Sequence, residues 1–393
     1  MKIAIITSGV LPVPAVQGGA VETLIDYALE YNNQHRLHDI TIFSVYNEKV
    51  TLHHALQSGV NHYDYIDTKS SIYKIGAKIY SYVGNHYYYH YQLEYFLERV
   101  WRKIKKQHFD LIILENRPGY ALPLSKRTTT PIILHIHTDI LFEPSPQNQK
   151  IVSSTKGILA VSNYIKSQIA KVGIKTDTRI VYNGLDPDTF DTSKIKPIKR
   201  KEIGIKESDF VAVFWGRLVA KKGIKELLQA FELLKGHQDI KLLVIGASNF
   251  EDSANQSDSF VEELKMIAKD LNNCVKFTGF IPYNNIARYL STANVAVVPS
   301  QINEAFGMTC IEACALGLPV IATNDGGIPE ILKDQKHILI DISPDLPQLI
   351  ANAILEIKTN YSSFLGNTLN KIFYKDTYAS TFFNSISDII NKS

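Results

Sequence analysis

Short apolar runs rich in β-branched residues recur along the chain, separated by segments whose apolar positions repeat every three to four residues. An unbroken or alternating apolar run marks a strand, and the 3.6-residue period marks a helix with one buried face. In the first half this pattern predicts strands at Lys2–Thr7, Asp39–Val45, Asp110–Glu115, Ile132–His137, Gly157–Val161 and Arg179–Tyr182, with helices at Gly19–Asn33, Tyr88–Gln107 and Asn163–Lys171. The second half restarts the pattern. Strands are predicted at Phe210–Trp215, Ile240–Ile245, Val275–Thr278, Ile286–Ser291, Val295–Pro299 and Val320–Thr323, and helices at Gly223–Lys235, Ser259–Asp270 and Met308–Ala315. Strands alternating with helices imply α/β architecture with parallel sheets covered on both faces, and the restart near residue 210 implies two of them. Ligands of such sheets bind beyond the carboxyl ends of the strands, so two doubly wound domains facing each other place a site in the cleft between them.

The length of 393 residues agrees with two domains, and 45% hydrophobic with 21% charged residues is the balance of a soluble globular protein. Cys274, Cys310 and Cys314 form neither a disulfide framework nor a zinc-like spacing, which fits a reducing cytoplasm. The opening run Lys2–Thr7 is short and leads to Pro12 and Pro14 with no small-residue cleavage site, so it reads as a buried first strand rather than a signal peptide. No segment approaches the ~20 apolar residues that span a bilayer. Net charge is +3, yet residues 1–182 hold 20 Lys+Arg against 14 Asp+Glu and ten of the twelve histidines. That asymmetry turns the first half toward an anionic partner. The stretch Asp186–Glu207, rich in Asp, Pro and Lys, reads as the interdomain linker.

Candidate chemistry falls just after strands. Glu304 and Glu312 have seven residues between them, one before the Phe306-Gly307-Met308 turn and one about two turns along the following helix. Free N–H groups at that helix start suit an anion or a sugar hydroxyl, and the two carboxylates can grip two ends of one polar ligand. A solvated helix residue and a charge favoured by the helix dipole are the plainer readings. After Phe210–Trp215, Arg217 and Lys222 make a fork and a point charge suited to a diphosphate. Gly18-Gly19 opens a helix, but the spacing is not that of a dinucleotide fingerprint. His135 and His137 share one face of a strand end, with Glu115 and Asp139 near in sequence to strand ends, yet no spacing argues convincingly for a metal. Asn116-Arg117-Pro118 follows another strand as a second polar corner, and Asp186-Pro187-Asp188 reads as a turn rather than a metal-binding Asp-x-Asp.

These segments, in this order, resemble the retaining GT-B glycosyltransferases of glycosyltransferase family 4. The matching pieces are Gly18-Gly19, His137, Ser162-Asn163-Tyr164-Ile165, Tyr182-Asn183-Gly184-Leu185-Asp186 with Phe190, and Gly216-Arg217-Leu218 with Lys222-Gly223. Phe277-Thr278-Gly279-Phe280, Glu304-Ala305-Phe306-Gly307 through Glu312-Ala313, Gly317-Leu318-Pro319-Val320, and Asn324-Asp325-Gly326-Gly327 before Pro329-Glu330 continue it over nearly the whole chain. The resemblance implies a Rossmann-like acceptor domain over residues 1–185, a Rossmann-like donor domain over 186–366, and a helical segment over 367–393 that crosses back to the first domain. It implies that Arg217 and Lys222 hold the diphosphate of a nucleotide sugar, Glu312 the ribose, and Glu304 hydroxyls of the donor sugar beside the N–H groups of Phe306, Gly307 and Met308. His137 and Gly18-Gly19 would close the site, and Gly279, Phe280 and Ile281 would pack the base. No metal or other cofactor is implied.

The acceptor side is expected at Asn116, Arg117 and Asp139. Leu93, Phe96, Leu97, Val100, Trp101 and Ile104 recur at helical spacing among Arg99, Arg102, Lys103, Lys105 and Lys106. This is either an ordinary helix packed on its sheet or a basic amphipathic surface helix touching anionic lipid, which the aromatic run Tyr87–Tyr91 favours. A membrane-facing acceptor domain points to a saccharide, lipid-linked, in bacterial capsule, exopolysaccharide or wall-polymer assembly, with UDP-hexose the favoured donor and no role for nucleic acid. The alternatives are a catalytically silent GT-B subunit that stabilises another transferase, and a phosphorylase-like enzyme, for which no cofactor lysine motif is present.

Overall fold

The computed structural model describes residues 1–53, 59–83, 88–247, 259–271, 273–301 and 303–392; Tyr87 of the aromatic run lies outside them. The chain divides into two compact units, Met1–Gly184 with Lys375–Ser393, and Leu185–Tyr374.

The first unit runs β1 (Lys2–Ile6), α1 (Ala20–His35), β2 (Asp39–Val45), β3 (His62–Ile66), α2 (Ser71–Val83), α3 (Tyr91–Ile104), β4 (Leu111–Glu115), α4 (Ala121–Ser125), β5 (Ile132–Ile136), α5 (Pro146–Ser153), β6 (Gly157–Ala160), α6 (Asn163–Ala170) and β7 (Thr178–Ile180). The strands form one parallel sheet in the order β3-β2-β1-β4-β5-β6-β7. The chain moves outward from β1 and returns on its other side, with Ile3 opposite Leu111 and Ile6 opposite Leu114. Strands β1, β4 and β5 are buried along nearly their whole length because both of their faces are covered, and all of their residues but Lys2, Glu115 and His135 are apolar. On one face Ile3, Ile5, Leu111 and Ile113 pack with Leu24, Ile25 and Leu29 of α1 and with Tyr378, Phe382, Ile386 and Ile389 of the C-terminal helix. The edge strand β3 escapes the apolar pattern because His-Tyr-Asp-Tyr-Ile meets the core mainly at Ile66. Helices α2, α4 and α5 were not legible either.

The basic amphipathic helix is α3, and its apolar stripe is core. Phe96, Leu97, Val100 and Ile104 are buried, while Lys103 pairs with Asp64 and Glu98 with Arg102 and Arg127. The reading of this helix as a lipid-binding face is therefore overturned, since the apolar face that would enter lipid is already used by the sheet.

The second unit runs β8 (Phe210–Trp215), α7 (Ile224–Leu233), β9 (Ile240–Ile245), α8 (Ser259–Lys269), β10 (Val275–Gly279), α9 (Tyr283–Leu290), β11 (Val295–Val298), α10 (Met308–Ala315), β12 (Val320–Thr323), α11 (Ile328–Leu332), β13 (His337–Ile340) and α12 (Leu346–Thr359). Its parallel sheet is ordered β10-β9-β8-β11-β12-β13, again reversing beside the first strand. The strand expected at Ile286–Ser291 is instead part of α9: Ile286, Ala287 and Leu290 are buried together, a helical rather than a two-residue period. The stretch Asp186–Glu207 is not a loose linker. The Arg200 guanidinium donates to the carbonyls of Thr292, Glu207 and Asp209 and to Asn294 Oδ1, stapling it to this unit. Residues 367–374 also lie here, where Asn367 donates to Leu318 and Lys336 carbonyls and accepts from the Lys336 N–H.

The last helix, α13 (Lys375–Asn391), belongs to the first unit's core. Among the described residues no helix is long and apolar enough to cross a membrane. Phe382→Ala should destabilise the first unit by about 3–5 kcal/mol, the usual cost of emptying a buried phenylalanine site. Urea unfolding followed by circular dichroism checks this, and a loss below about 1 kcal/mol would mean that the helix is peripheral.

Candidate active site

In a doubly wound sheet a crevice opens at the strand ends where the chain order reverses, because the loops on either side leave in opposite directions. In the second unit that point lies between β8 and β11, and the loops following these two strands are clamped together. The Gln301 N–H donates to the Lys221 carbonyl at 2.8 Å. Gly223 adopts φ +72, and a Cβ there would stand 1.8 Å from the Pro299 carbonyl oxygen, so only glycine permits this approach. The clamp brings Lys222 from one loop to Glu304 from the other. They form an ion pair, and Ser300 Oγ donates to the same carboxylate oxygen at 3.2 Å.

The backbone of Glu304 is held as firmly as its side chain. Its N–H donates to Asp325 Oδ2 at 2.9 Å, and its carbonyl accepts from the Gly327 N–H at 2.8 Å. A Cβ on Gly326 would lie 2.0 Å from that carbonyl oxygen. The Asn324-Asp325-Gly326-Gly327 run is thus a cradle for Glu304. Gly307 precedes α10 as its N-cap and its carbonyl accepts from the Cys310 N–H at 2.9 Å, whereas the N–H groups of Met308 and Thr309, at the start of the first turn, lie too early to find an acceptor within the helix. Arg217 is exposed, and its guanidinium has no hydrogen bond or ion pair among the described residues. Gly279, Phe280 and Ile281 follow β10, with the Phe280 ring 41% exposed.

Glu312 lies in the second turn of α10 and is 5% exposed. Trp215 Nε1 donates to its Oε2 at 2.5 Å and the Tyr283 hydroxyl to its Oε1 at 3.1 Å. Burial pushes its pKa up to about 7 against the pull of these two hydrogen bonds. Neither Trp215 nor Tyr283 stands out in the sequence. The available signal is that a buried indole N–H or phenol requires an acceptor.

In the first unit the reversal lies between β1 and β4. Arg117, after β4, donates from Nε to the Ser8 carbonyl at 2.9 Å and lies over the Tyr89 ring at 5.3 Å. Gly19 is the N-cap of α1 at φ +109, and Ser8 Oγ reaches Glu22 Oε1 at 3.4 Å. Burial raises the Glu22 pKa. Asn116 takes φ +52, and its Oδ1 accepts from the His137 N–H at 3.1 Å and from Thr138 Oγ1 at 3.0 Å, tying the ends of β4 and β5 together. Asp139 accepts from the Tyr164 hydroxyl at 3.1 Å.

Glu115, His135 and His137 meet in the interior. Glu115 Oε2 lies 3.0 Å from His135 Nδ1 and 3.2 Å from His137 Nε2, with the two imidazole centroids 4.0 Å apart. Their ligand-type atoms lie within 4.8 Å of one another, the spacing of a group that could hold a metal ion. It unites Glu115 with both histidines, whereas Asp139 is engaged elsewhere. Burial would raise the Glu115 pKa, but the imidazole charge of His135 and the hydrogen bonds from both rings outweigh it and hold it at about 2. Burial, reinforced by His135, lowers the His137 pKa to about 4. An ionised carboxylate only accepts, so His137 Nε2 carries the proton and Nδ1 offers its lone pair.

Residues 195–372 match the family described as glycosyl transferases group 1, and residues 18–189 match glycosyltransferase family 4. The chain is a family 4 glycosyltransferase. It is 29% identical over 368 residues to YtcC of Bacillus subtilis strain 168, whose own glycosyltransferase assignment is provisional; the match covers 90% of this chain and 82% of that one. It is 31% identical over 196 residues to the capsular polysaccharide biosynthesis glycosyltransferase CapM of Staphylococcus aureus, covering 47% of this chain and 48% of that one. The crystal structure of Anabaena HepE in complex with UDP-glucose superposes with a TM-score of 0.71 at 21% identity, over 99% of this chain and all of that one. That likeness establishes the GT-B fold for this glycosyltransferase.

Two measurements probe the site. Glu312 has a folded pKa near 7 against an ordinary 4.5, so its contribution to stability is full below 4.5 and is lost as the pH rises through 7. The stability of Glu312→Gln relative to the parent should therefore rise between pH 5 and 8, by on the order of 3 kcal/mol at most. A difference that stays flat across that range would show that Glu312 does not titrate there. Nitrogen-15 spectra of histidine-labelled protein should show His137 as the neutral Nε2–H tautomer from pH 8 to 5, and an imidazolium signal at pH 6 would contradict the geometry.

Proposed function

We propose that the enzyme is a retaining hexosyltransferase that moves a hexose from a nucleotide diphosphate sugar, UDP-hexose favoured, to a hydroxyl of a saccharide acceptor. The observation that carries this reading is the Lys222–Glu304–Ser300 cluster at the β8/β11 reversal, beside the open first turn of α10 and the exposed Arg217. A diphosphate arriving there would draw Lys222 from Glu304 and engage Arg217, while sugar hydroxyls would donate to the carboxylate that Lys222 had neutralised. The N–H groups of Phe306, Gly307 and Met308 would sit beside those hydroxyls. Glu312, with lone pairs to spare beyond Trp215 and Tyr283, would accept from the ribose, and Gly279, Phe280 and Ile281 would pack the base. His137 and the Gly18-Gly19 turn are assigned to the donor, and Asn116, Arg117 and Asp139 to the acceptor.

In this reading the bond from the anomeric carbon to the diphosphate oxygen breaks and its electron pair goes to the phosphate. The acceptor oxygen bonds to the same face of that carbon and its proton passes to the departing phosphate. Charge grows on the diphosphate as the bond breaks, so preorganised cations lower the barrier more than they tighten ground-state binding. Such a site requires no metal. The bond network that already engages Glu304 favours its role as a hydroxyl acceptor over that of a nucleophile. Relatives such as CapM, of capsular polysaccharide biosynthesis, support an acceptor from bacterial surface-polysaccharide synthesis; in this reading the acceptor is lipid-linked and is met on the inner face of the cell membrane.

Arg217→Ala should lower turnover about 10²–10³-fold, the usual effect of removing one transition-state donor, and leave the melting temperature unchanged. A variant that transfers sugar at the parental rate would overturn the assignment. A thermal-shift series with UDP, GDP and dTDP sugars should give the largest stabilisation with UDP, and the product anomer, read by NMR, should match that of the donor.

A further inference from the structure

The sheet of the first unit itself builds a glutamate and two histidines into the interior. Glu115 ends β4 and His135 is its register partner on β5, so the two side chains leave the same face. His137 stands two residues further on and shares that face, with its N–H held by Asn116 Oδ1 at 3.1 Å. The Tyr378 and Phe382 rings of α13 close one side, 6.4 and 5.4 Å from the His135 ring. Glu115 is 1% exposed, His135 0% and His137 8%.

A buried carboxylate between two imidazoles has an ordinary explanation, a hydrogen-bonded ion pair, and the rings depart from it. His137 Nε2 makes a hydrogen bond to Glu115 Oε2 at the long distance of 3.2 Å. His135 Nδ1 is nearer to the same oxygen, at 3.0 Å, but its ring is turned aside and the contact is too bent to be a well-formed hydrogen bond. His135 Nε2 and His137 Nδ1 are also buried with no hydrogen-bond partner among the described residues. Buried polar atoms left in this way are uncommon and call for a reason.

A common point of convergence supplies one. A first-row divalent cation holds imidazole nitrogen and carboxylate oxygen at about 2.0–2.2 Å, which sets neighbouring ligand atoms about 2.9 Å apart in an octahedral site and about 3.3 Å apart in a tetrahedral one. The separations of 3.0 and 3.2 Å lie between these, and all three ligand atoms fall within 4.8 Å of one another. Nitrogens that point beside the oxygen rather than at it are what ligands of one ion show. Two imidazoles and one carboxylate suit zinc, whereas magnesium and calcium prefer oxygen throughout. Strands, rather than loops, carry Glu115 and His135, so the set is assembled before any ion arrives.

We propose that Glu115 Oε2, His135 Nδ1 and His137 Nε2 form a binding site for a divalent cation of the zinc type, with water in the remaining position. His137 is the least buried of the three, so the ion enters past it. Binding releases to solvent any proton on His135 Nδ1. A neutral imidazole carries one proton, and with Nε2 on the ion the His137 proton stands on Nδ1. Occupancy therefore ties the end of β4 to that of β5 and turns the free nitrogen of His137 from acceptor to donor. The proposal is independent of the transferase reading, because neither binding nor tautomer is read through sugar transfer.

Calorimetric titration of the full-length protein, free of any affinity tag and stripped with EDTA, tests it. One equivalent of Zn²⁺ should bind and Mg²⁺ should not. Glu115→Gln keeps the side-chain volume and should weaken zinc binding at least about 100-fold, since loss of even a supporting partner of a ligand costs about 10–100-fold. The exposed pairs His62–Asp39 and His108–Asp110 are the competing surface sites, and His62→Ala/His108→Ala should bind as the parent does. Nitrogen-15 spectra of the histidine-labelled parent should show the His137 proton move from Nε2 to Nδ1 on addition of one equivalent of Zn²⁺. Failure of the parent to bind zinc, undiminished binding by Glu115→Gln, loss of binding in the surface variant, or a His137 that keeps its Nε2 proton with zinc bound would each overturn the proposal. If Glu115→Gln does not fold, the spectra of the parent decide alone.

Discussion

The candidate site depends on one constraint, the reversal of strand order in a parallel sheet. Right-handed crossovers carry the chain outward on one side of the first strand and then back to its other side. The loops leaving β8 and β11 consequently part, and the gap between them is where backbone and side chains from distant sequence can meet. Lys222 and Glu304 are 82 residues apart and meet there. The same arrangement in the first unit brings Arg117 to the Ser8 carbonyl, 109 residues away. The clamp between the two loops of the second unit works only at glycine, because the carbonyl of Pro299 occupies the space that any Cβ on Gly223 would need.

Within that frame the carboxylates meet different fates. Glu304 is partly buried and is held by the Lys222 ammonium and the Ser300 hydroxyl. Glu312 is buried with two neutral donors, which do not replace the solvation it has lost, and its affinity for a proton rises accordingly. Glu115 is equally deep, yet two imidazoles reverse the outcome and hold it ionised. Two equally buried glutamates of one chain are thus driven in opposite directions by environment alone. The consequence for His137 is a fixed tautomer with one nitrogen committed to Glu115, which leaves the other to act as an acceptor.

Amphipathicity misleads when it is read from a single helix. α3 has the stronger sequence pattern, with cations around an apolar stripe, but that stripe faces its own sheet. α2 offers a weaker charge pattern, and its sequence does not show which of its two apolar sides meets α3. Tyrosines at positions 73, 80 and 95 take the inward places because their rings pack against one another at tilted angles and the Tyr73 hydroxyl finds a backbone acceptor. The isoleucines are left outside.

The sequence by itself determined the alternation of strands and helices, the restart near residue 210, and the loops that carry chemistry, since buried parallel strands must be apolar and the loops after them polar. Arg217, Lys222, Glu304 and His137 could be singled out as candidates from type and position after strands, and Glu312 from its spacing to Glu304. Strand β3, helix α2 and the helical nature of α9 were not, because an edge strand needs little apolar surface and a short run such as Ile286–Ser291 fits either period. Only the tertiary structure decided what each group touches. It paired Lys222 with Glu304, gave Glu312 to Trp215 and Tyr283, joined Glu115 to both histidines, and folded α13 into the first unit's core. The physical reason is the same throughout: local pattern specifies which face of an element is apolar, whereas partners are chosen by elements far away in the chain.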